Sequence, residues 1–131
     1  WGMLVVKAHY FRFERPAEVD LPAGEWRHGL HGGAVETAMM LHLHPERVRR
    51  DRIVHHPSLG QELEAALQRL GPEGEAAFAW TARDLSPSGV TGDPRLATGE
   101  MGRALVDHYT RCLAQVIDDA RAFPLDRLAY P

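Results

Sequence analysis

The segment of residues 31–41 brings an imidazole, two glycines and a carboxylate to the start of an apolar helix. Gly32 and Gly33 lack a Cβ, so the backbone can turn sharply there and another group can approach it closely. The first N–H groups of the following helix have no partner within it and carry the positive end of its dipole. Because His31 precedes these donors and Glu36 follows one turn later, the segment predicts a binding site for a small polar or anionic ligand.

Three later blocks extend this pattern along the chain. Residues 31–41 are followed by LHPERV at 43–48, SPSGVTGDP at 86–94 and LATGEMGR at 96–103. These four blocks resemble the creatininase (creatinine amidohydrolase) family, in the family's order and at about its spacing. The resemblance covers nearly the whole chain but only the C-terminal half of the family's domain. It implies a three-layer α/β/α fold with a largely parallel sheet, of which residues 1–131 would be the C-terminal half.

The resemblance also implies roles for single residues. The histidine of the His-Gly-Gly segment assists proton transfer in creatininases, so His31 is the expected proton shuttle. Histidine suits this role because its ordinary pKa of about 6.5 lets it take and give a proton near neutrality. An imidazole that caps the helix or satisfies the core is the alternative. Glu36 is expected beside it, either in catalysis or as a first-turn acid that holds His31 or a loop amide.

Aromatic residues and glycines complete the predicted substrate site. Creatininases place a tryptophan a few residues before the same histidine, where it covers the substrate, and Trp26 is the matching residue here. Its alternative role is to anchor its loop. Tyr10 is expected to form a second aromatic wall, since a flat apolar ring suits a small heterocycle. Gly32 and Gly33 are expected to let the substrate approach the backbone.

The resemblance further implies two divalent metal ions, zinc or manganese, that share a bridging water and make hydroxide at neutral pH. The family's ligands lie in its N-terminal half, so no metal ligand is assigned to this sequence. A zinc site needs converging ligands. His28 and His31 lie in or beside a predicted glycine-containing loop, and His42 and His44 point to different faces of a helix. No metal site made from these histidines alone is expected.

Two functions are therefore open. The first is a metal-dependent hydrolase of a cyclic amide or another C–N amide bond, acting on a small-molecule substrate, with the metal-binding half upstream. The alternative is a non-catalytic α/β assembly module or remnant of the same fold. The sequence opens at Trp1 without an initiating Met, on a predicted buried strand, so a fragment, a processed chain or a truncated gene product is expected. A homo-oligomer is expected from its apolar faces and strand edges, and the resemblance implies a ring or hexamer.

Composition limits the other function classes. The 131 residues suffice for one domain, and 44% of them are hydrophobic. The net charge of −3, with interspersed signs, argues against a nucleic-acid or membrane partner. Cys112, the single cysteine, is expected to be a small buried hydrophobe, and the cytoplasm is the expected compartment. Ser86 and Ser88 have no base at a fixed sequence distance, so a serine hydrolase is not expected.

Hydrophobic spacing predicts the elements that position these residues. A β-rich start predicts a buried strand over 2–13, and a polar stretch predicts a loop over 16–29 that carries Trp26. The other predicted elements are a helix over 32–44, a short strand or loop over 52–56, a helix over 61–70, a strand over 76–85, a loop over 86–94 and a long helix over 98–123.

Overall fold

A computed structural model describes residues 3–128, and within them it contains five α-helices and two short β-strands. The helices are α1 (Ala23–His28), α2 (Ala34–Leu43), α3 (Leu59–Glu64), α4 (Ala82–Leu85) and α5 (Gly99–Ala122). The strands β1 (Leu70–Gly71) and β2 (Ala76–Ala77) pair in parallel, with Leu70 opposite Ala76. This part of the chain is thus a mixed α/β structure with a small parallel sheet.

The two longest helices match their predictions, and their contact forms the core. α2 lies within the helix predicted over 32–44, and α5 lies within the one predicted over 98–123. They approach closely at Gly102, where a Cβ would overlap the carbonyl oxygen of Ala38. Ala38 and Leu105 are completely buried beside this crossing. The missing side chain at Gly102 therefore sets how near the two helices lie.

The sheet is much smaller than the sequence predicts. Strands of two residues each cannot carry helices on both faces, so residues 3–128 do not form the expected three layers. The strand expected over 2–13 is not formed by residues 3–13, of which Tyr10–Arg12 is a 3₁₀ turn. Val5 in this segment is 81% exposed. An extended segment becomes a strand only when a neighbouring strand pairs with its N–H and C=O groups, and the two described strands pair with each other instead of with residues 4–13.

The strand predicted over 76–85 is also wrong beyond its first two residues. Ala82–Leu85 is a helical turn instead, and it begins at a capping box. The Asp84 carboxylate accepts hydrogen bonds from the N–H and the hydroxyl of Thr81, both at 2.7 Å. This reciprocal cap is a sequence signal for a helix start, and it outweighs the alternation of apolar residues.

Other boundaries shift for equally local reasons. The loop predicted over 16–29 contains α1. The helix predicted over 61–70 is wrong at both ends, because α3 begins at Leu59 and ends at Glu64, and Leu70 belongs to β1. At the start of α3 the hydroxyl of Ser58 accepts the Gly60 N–H at 3.2 Å, which caps the helix. Between α2 and α3, Arg50–Arg52 forms a 3₁₀ turn. No helix in residues 3–128 is long and apolar enough to cross a membrane.

Candidate functional site

A buried carboxylate joins the segments that surround the predicted site. Glu25 on α1 is 8% exposed. Its Oε1 accepts the Ala34 N–H at 2.6 Å, and its Oε2 accepts the Asp93 N–H at 2.7 Å. Ala34 is the first residue of α2, so the carboxylate satisfies one of the unpaired N–H groups at the positive end of that helix. One side chain thus ties α1 to the start of α2 and to the loop before α5.

Three glycines make the space that this carboxylate occupies. A Cβ on Gly29 would lie 2.5 Å from Glu25 Oε1, and one on Gly33 or Gly92 would lie 2.6 Å from the same atom. Gly92 also has a φ of +107°, a conformation that side chains disfavour. Gly33 is therefore placed against Glu25, and a larger residue there would displace the carboxylate.

Thr91 fixes the backbone on either side of His31. Its hydroxyl, which is completely buried, accepts the N–H groups of Leu30 and His31, each at 3.0 Å. The Thr91 N–H donates in turn to the His31 carbonyl at 2.8 Å. The next residue, Gly92, exchanges two backbone hydrogen bonds with His56, at 2.8 and 2.9 Å. The loop of residues 90–93 thus lies between two segments that are distant in sequence.

The His31 turn presents an exposed imidazole. Gly32 follows with a φ of +67°, which explains why glycine suits this position. The Gly32 N–H donates to the carboxylate of Glu36, and the Thr37 hydroxyl donates to the Gly32 carbonyl at 3.2 Å. Glu36 therefore holds a loop amide, and its backbone partner lies directly after His31. The catalytic roles of His31 and Glu36 stay predictions.

A cleft of about 760 Å³ lies beside this turn. Its volume falls in the range of about 300–1,000 Å³ that is typical of small-molecule sites. Among the predicted site residues, Tyr10, Trp26 and Glu36 line it, whereas His31, Gly32 and Gly33 do not. The cleft thus collects the aromatic residues and one carboxylate of the predicted site.

Trp26 is half-buried on α1 and packs against the core. The guanidinium of Arg15 lies 4.9 Å from the centre of its ring. Trp80 lines the same cleft and is held in place because its indole N–H donates to the Pro72 carbonyl at 2.8 Å. The predicted contact of Trp26 with a substrate stays a prediction, and its packing supports the alternative role of an anchor.

The phenol of Tyr10 is a neutral group in the cleft. Burial, and next the negative charge of Glu36, raise the pKa of Tyr10 to about 12. Its ring also lies 5.3 Å from the ring of Tyr109, centre to centre. At neutral pH Tyr10 therefore keeps its proton and can donate a hydrogen bond from the cleft wall.

The remaining histidines form separate clusters. His28 is buried on α1, and its Nε2 lies 2.6 Å from the carboxylate of Glu64, which also pairs with Arg27. His56 Nδ1 lies 3.0 Å from the hydroxyl of Ser88, a pairing that sequence distance could not reveal. That hydroxyl also accepts the Val90 N–H at 3.2 Å, so it stabilises its own loop.

Metal binding does not fit the part of the chain that the structure describes. Residues 3–128 contain no group of three or more His, Cys, Asp or Glu side chains that could hold an ion. The one cysteine, Cys112, is half-buried on α5, with its sulfur 3.6 Å from His108 Nε2.

Sequence reasoning missed Glu25 and Thr91, which hold the site together. Both lie in segments predicted as loops, and their partners are 60 or more residues away in the longest cases. The glycines around Glu25 were visible in the sequence, but nothing in their spacing showed that they share one carboxylate.

Comparison with known proteins assigns the chain to a family. A family model described as "Creatininase: Creatinine amidohydrolase" matches residues 2–117 of the chain. No curated protein and no solved structure matches it. The matched residues include the whole His31 turn, Glu25, Thr91 and most of α5.

Proposed function

Since the chain belongs to the creatininase family, we propose that it is part of a metal-dependent amidohydrolase that cleaves a cyclic amide or another C–N amide bond. Membership over residues 2–117 carries this proposal. The site geometry supports it, because the match spans an exposed histidine, a turn held from three sides and an adjacent cleft. The substrate would be a small molecule that binds in the cleft.

In this proposal the chain's own residues handle protons and position the substrate. The exposed His31 imidazole lies on the turn beside the cleft and is not one of the residues that line it; from that turn it would take and return a proton during cleavage of the C–N bond. Thr91 and Glu36 would keep its backbone in place through the amides of residues 31 and 32. Tyr10, which keeps its proton at neutral pH, would donate a hydrogen bond to the substrate from the cleft.

The metal ions, zinc or manganese, are proposed to bind to residues outside this sequence. The family resemblance supports this arrangement, in which residues 1–131 form the C-terminal half of a single domain. The three-layer α/β/α fold would then be completed by the other half. The single cysteine supports the cytoplasm as the compartment.

The test uses the product of the complete reading frame that contains this sequence. Metal analysis of the purified protein is combined with a hydrolysis assay on creatinine and on simple cyclic and linear amides. We expect bound zinc or manganese and release of an amine or a ring-opened product. A metal-free protein that cleaves none of these amides would reject the proposal and favour the non-catalytic assembly module.

A homo-oligomer, of which a hexamer is one form, is also proposed. The second half of α5 supports it, because Leu113 and Ile117 are 47% and 53% exposed on one face of the helix. Light scattering on the purified chain tests it. We expect a mass above that of one chain and a smaller mass for Ile117→Asp, whereas a monomer in both cases would contradict the proposal.

A further inference from the structure

We infer that the cleft selects a ligand that joins a flat aromatic ring to an oxyanion, either a carboxylate or a phosphate. The inference rests on the proposed function in one respect, namely that the substrate binds in this cleft. Two sets of residues support it: the aromatic walls, and two arginines that form no ion pair with any residue that the structure describes.

The ring is recognised by flat side chains. Tyr10, Phe11 and Trp80 all line the cleft. The rings of Tyr10 and Phe11 meet edge to face, with their centres 5.6 Å apart, and the hydrogen bond to Pro72 fixes Trp80. Aromatic walls of fixed orientation favour a flat ring over a flexible chain, because little side-chain entropy is lost on binding.

The oxyanion is recognised by Arg12 and Arg15, which also line the cleft. Neither of them forms an ion pair within residues 3–128, whereas Arg27 in the same cleft pairs with Glu64. Arg15 rests on the ring of Trp26, so its position is restricted while the N–H groups at its edge stay available. A guanidinium binds a carboxylate or a phosphate through two parallel hydrogen bonds, which makes arginine a selective anion ligand.

Three carboxylates face the same space, and two of them are already engaged. Glu25 accepts two backbone N–H groups and Glu36 accepts one. Glu73 lines the cleft from the turn between β1 and β2. Hydrogen bonds from backbone N–H groups leave Glu25 and Glu36 charged, so all three carboxylates repel an anionic ligand, and its charged group is expected beside Arg12 and Arg15. Removal of the Glu73 charge should then strengthen binding.

The test compares two probes with the same ring. Benzoate and benzamide are titrated into the purified chain while tryptophan fluorescence is recorded, since Trp26 and Trp80 line the cleft. We expect benzoate to bind about tenfold more tightly than benzamide, and added salt to weaken benzoate binding alone. Inorganic phosphate should compete more weakly than benzoate. Equal affinities for the two ring compounds, or phosphate that competes as well as benzoate, would overturn the inference.

Variants assign the effect to the cleft. Arg12→Gln and Arg15→Gln should each lower benzoate affinity about tenfold and leave benzamide affinity unchanged. Glu73→Gln should raise benzoate affinity, and Arg49→Gln, an exposed arginine that does not line the cleft, should change nothing. Unchanged benzoate affinity in Arg12→Gln would contradict the inference even if Arg15→Gln fails to fold.

The outcomes separate this inference from the proposed function. If the complete protein hydrolyses amides but the chain binds benzoate no better than benzamide, the proposed function stands and the inference of an oxyanion-binding cleft is rejected. If the chain prefers benzoate but the complete protein has no amidase activity, the proposed function is rejected and the inference about the cleft stands.

Discussion

The carboxylate of Glu25 caps α2 from another helix, because its Oε1 accepts the Ala34 N–H at 2.6 Å. A helix is usually capped by the side chain of its own preceding residue, but that residue is Gly33, which has none. The cap comes instead from a buried acid on α1 whose second oxygen holds the Asp93 N–H. Glu25, which lies outside both segments, therefore adds to the direct hydrogen bonds by which Thr91 holds the His31 turn against the loop of residues 90–93.

Replacement of this acid by its amide should destabilise the chain. In Glu25→Gln one oxygen becomes an NH₂ group, so one of the two backbone N–H donors then faces another donor. We expect a loss of about 1–3 kcal/mol in the free energy of unfolding, the usual cost of a buried group left without its partner. Urea unfolding measures it, with the exposed Glu18→Gln as the control. Equal stability of the two variants would show that the cap contributes nothing.

The hydroxyl of Thr91 offers a second, independent test of the same turn. Thr91→Val keeps the shape of the side chain but leaves the N–H groups of Leu30 and His31 without an acceptor. We expect a loss of about 1–3 kcal/mol and faster hydrogen exchange at these two amides. Thr91→Ser, which retains the hydroxyl, should protect both amides nearly as well as the native residue does. Slow exchange in Thr91→Val would mean that the Thr91 hydroxyl is not what protects the two amides.

The crossing of α2 and α5 depends on the absence of a side chain. Gly102→Ala would force the two helices apart at Ala38, and we expect a loss of about 1–3 kcal/mol, as for other overpacked cores. Gly24→Ala is the matched control, because a Cβ there meets nothing within 4 Å. Since alanine favours a helix more than glycine does, that control should be neutral or stabilising by up to about 1 kcal/mol. Thermal unfolding of both variants distinguishes the two effects.

The sequence predicts the helices of this molecule better than its strands, for a physical reason. α2 is predicted from its continuous apolar sequence, and α5 from its apolar spacing and from a local cap, the Thr98 hydroxyl that accepts the Met101 N–H. The strand expected over residues 2–13 needs a partner strand, and no local pattern shows whether one exists. For the strand predicted over 76–85, the local capping pattern of Thr81 and Asp84 was a signal in the sequence for the helical turn that forms instead.

The site was predictable to a similar extent. Three of the predicted site residues, Tyr10, Trp26 and Glu36, line the cleft, whereas His31 does not and Trp80 was not predicted as a site residue. Glu25 and Thr91 could not be found in this way, since each acts on backbone groups that are distant in sequence. Arg12 and Arg15 were not predicted as site residues either, because the sequence does not show whether an arginine forms an ion pair in the folded chain.

Acid should weaken the loop of residues 90–93 through Asp93. Hydrogen bonds from Arg95 hold the pKa of the Asp93 carboxyl below its usual value. A depressed pKa in the folded state adds stability above the unfolded value of about 3.9, and that stability is lost as the pH falls through the lower folded value. In a plot of melting temperature against pH, Asp93→Asn should therefore lose less stability than the native chain does below about pH 4. An unchanged pH dependence in Asp93→Asn, or an equal change in the exposed Asp20→Asn, would argue against a role for the Asp93–Arg95 pair.

Catalysis by the complete protein should depend on His31 more than on Glu36. We expect His31→Ala to lower kcat by about 10²–10⁴-fold, the usual scale for the loss of a general acid–base group, with metal content unchanged. Glu36→Gln should cost less, because its carboxylate holds the Gly32 amide and does not itself transfer the proton. His42→Ala, an exposed histidine on α2, is the matched control and should retain activity. Loss of bound metal in His31→Ala would make His31 a ligand, and a larger defect in Glu36→Gln would reverse the two roles.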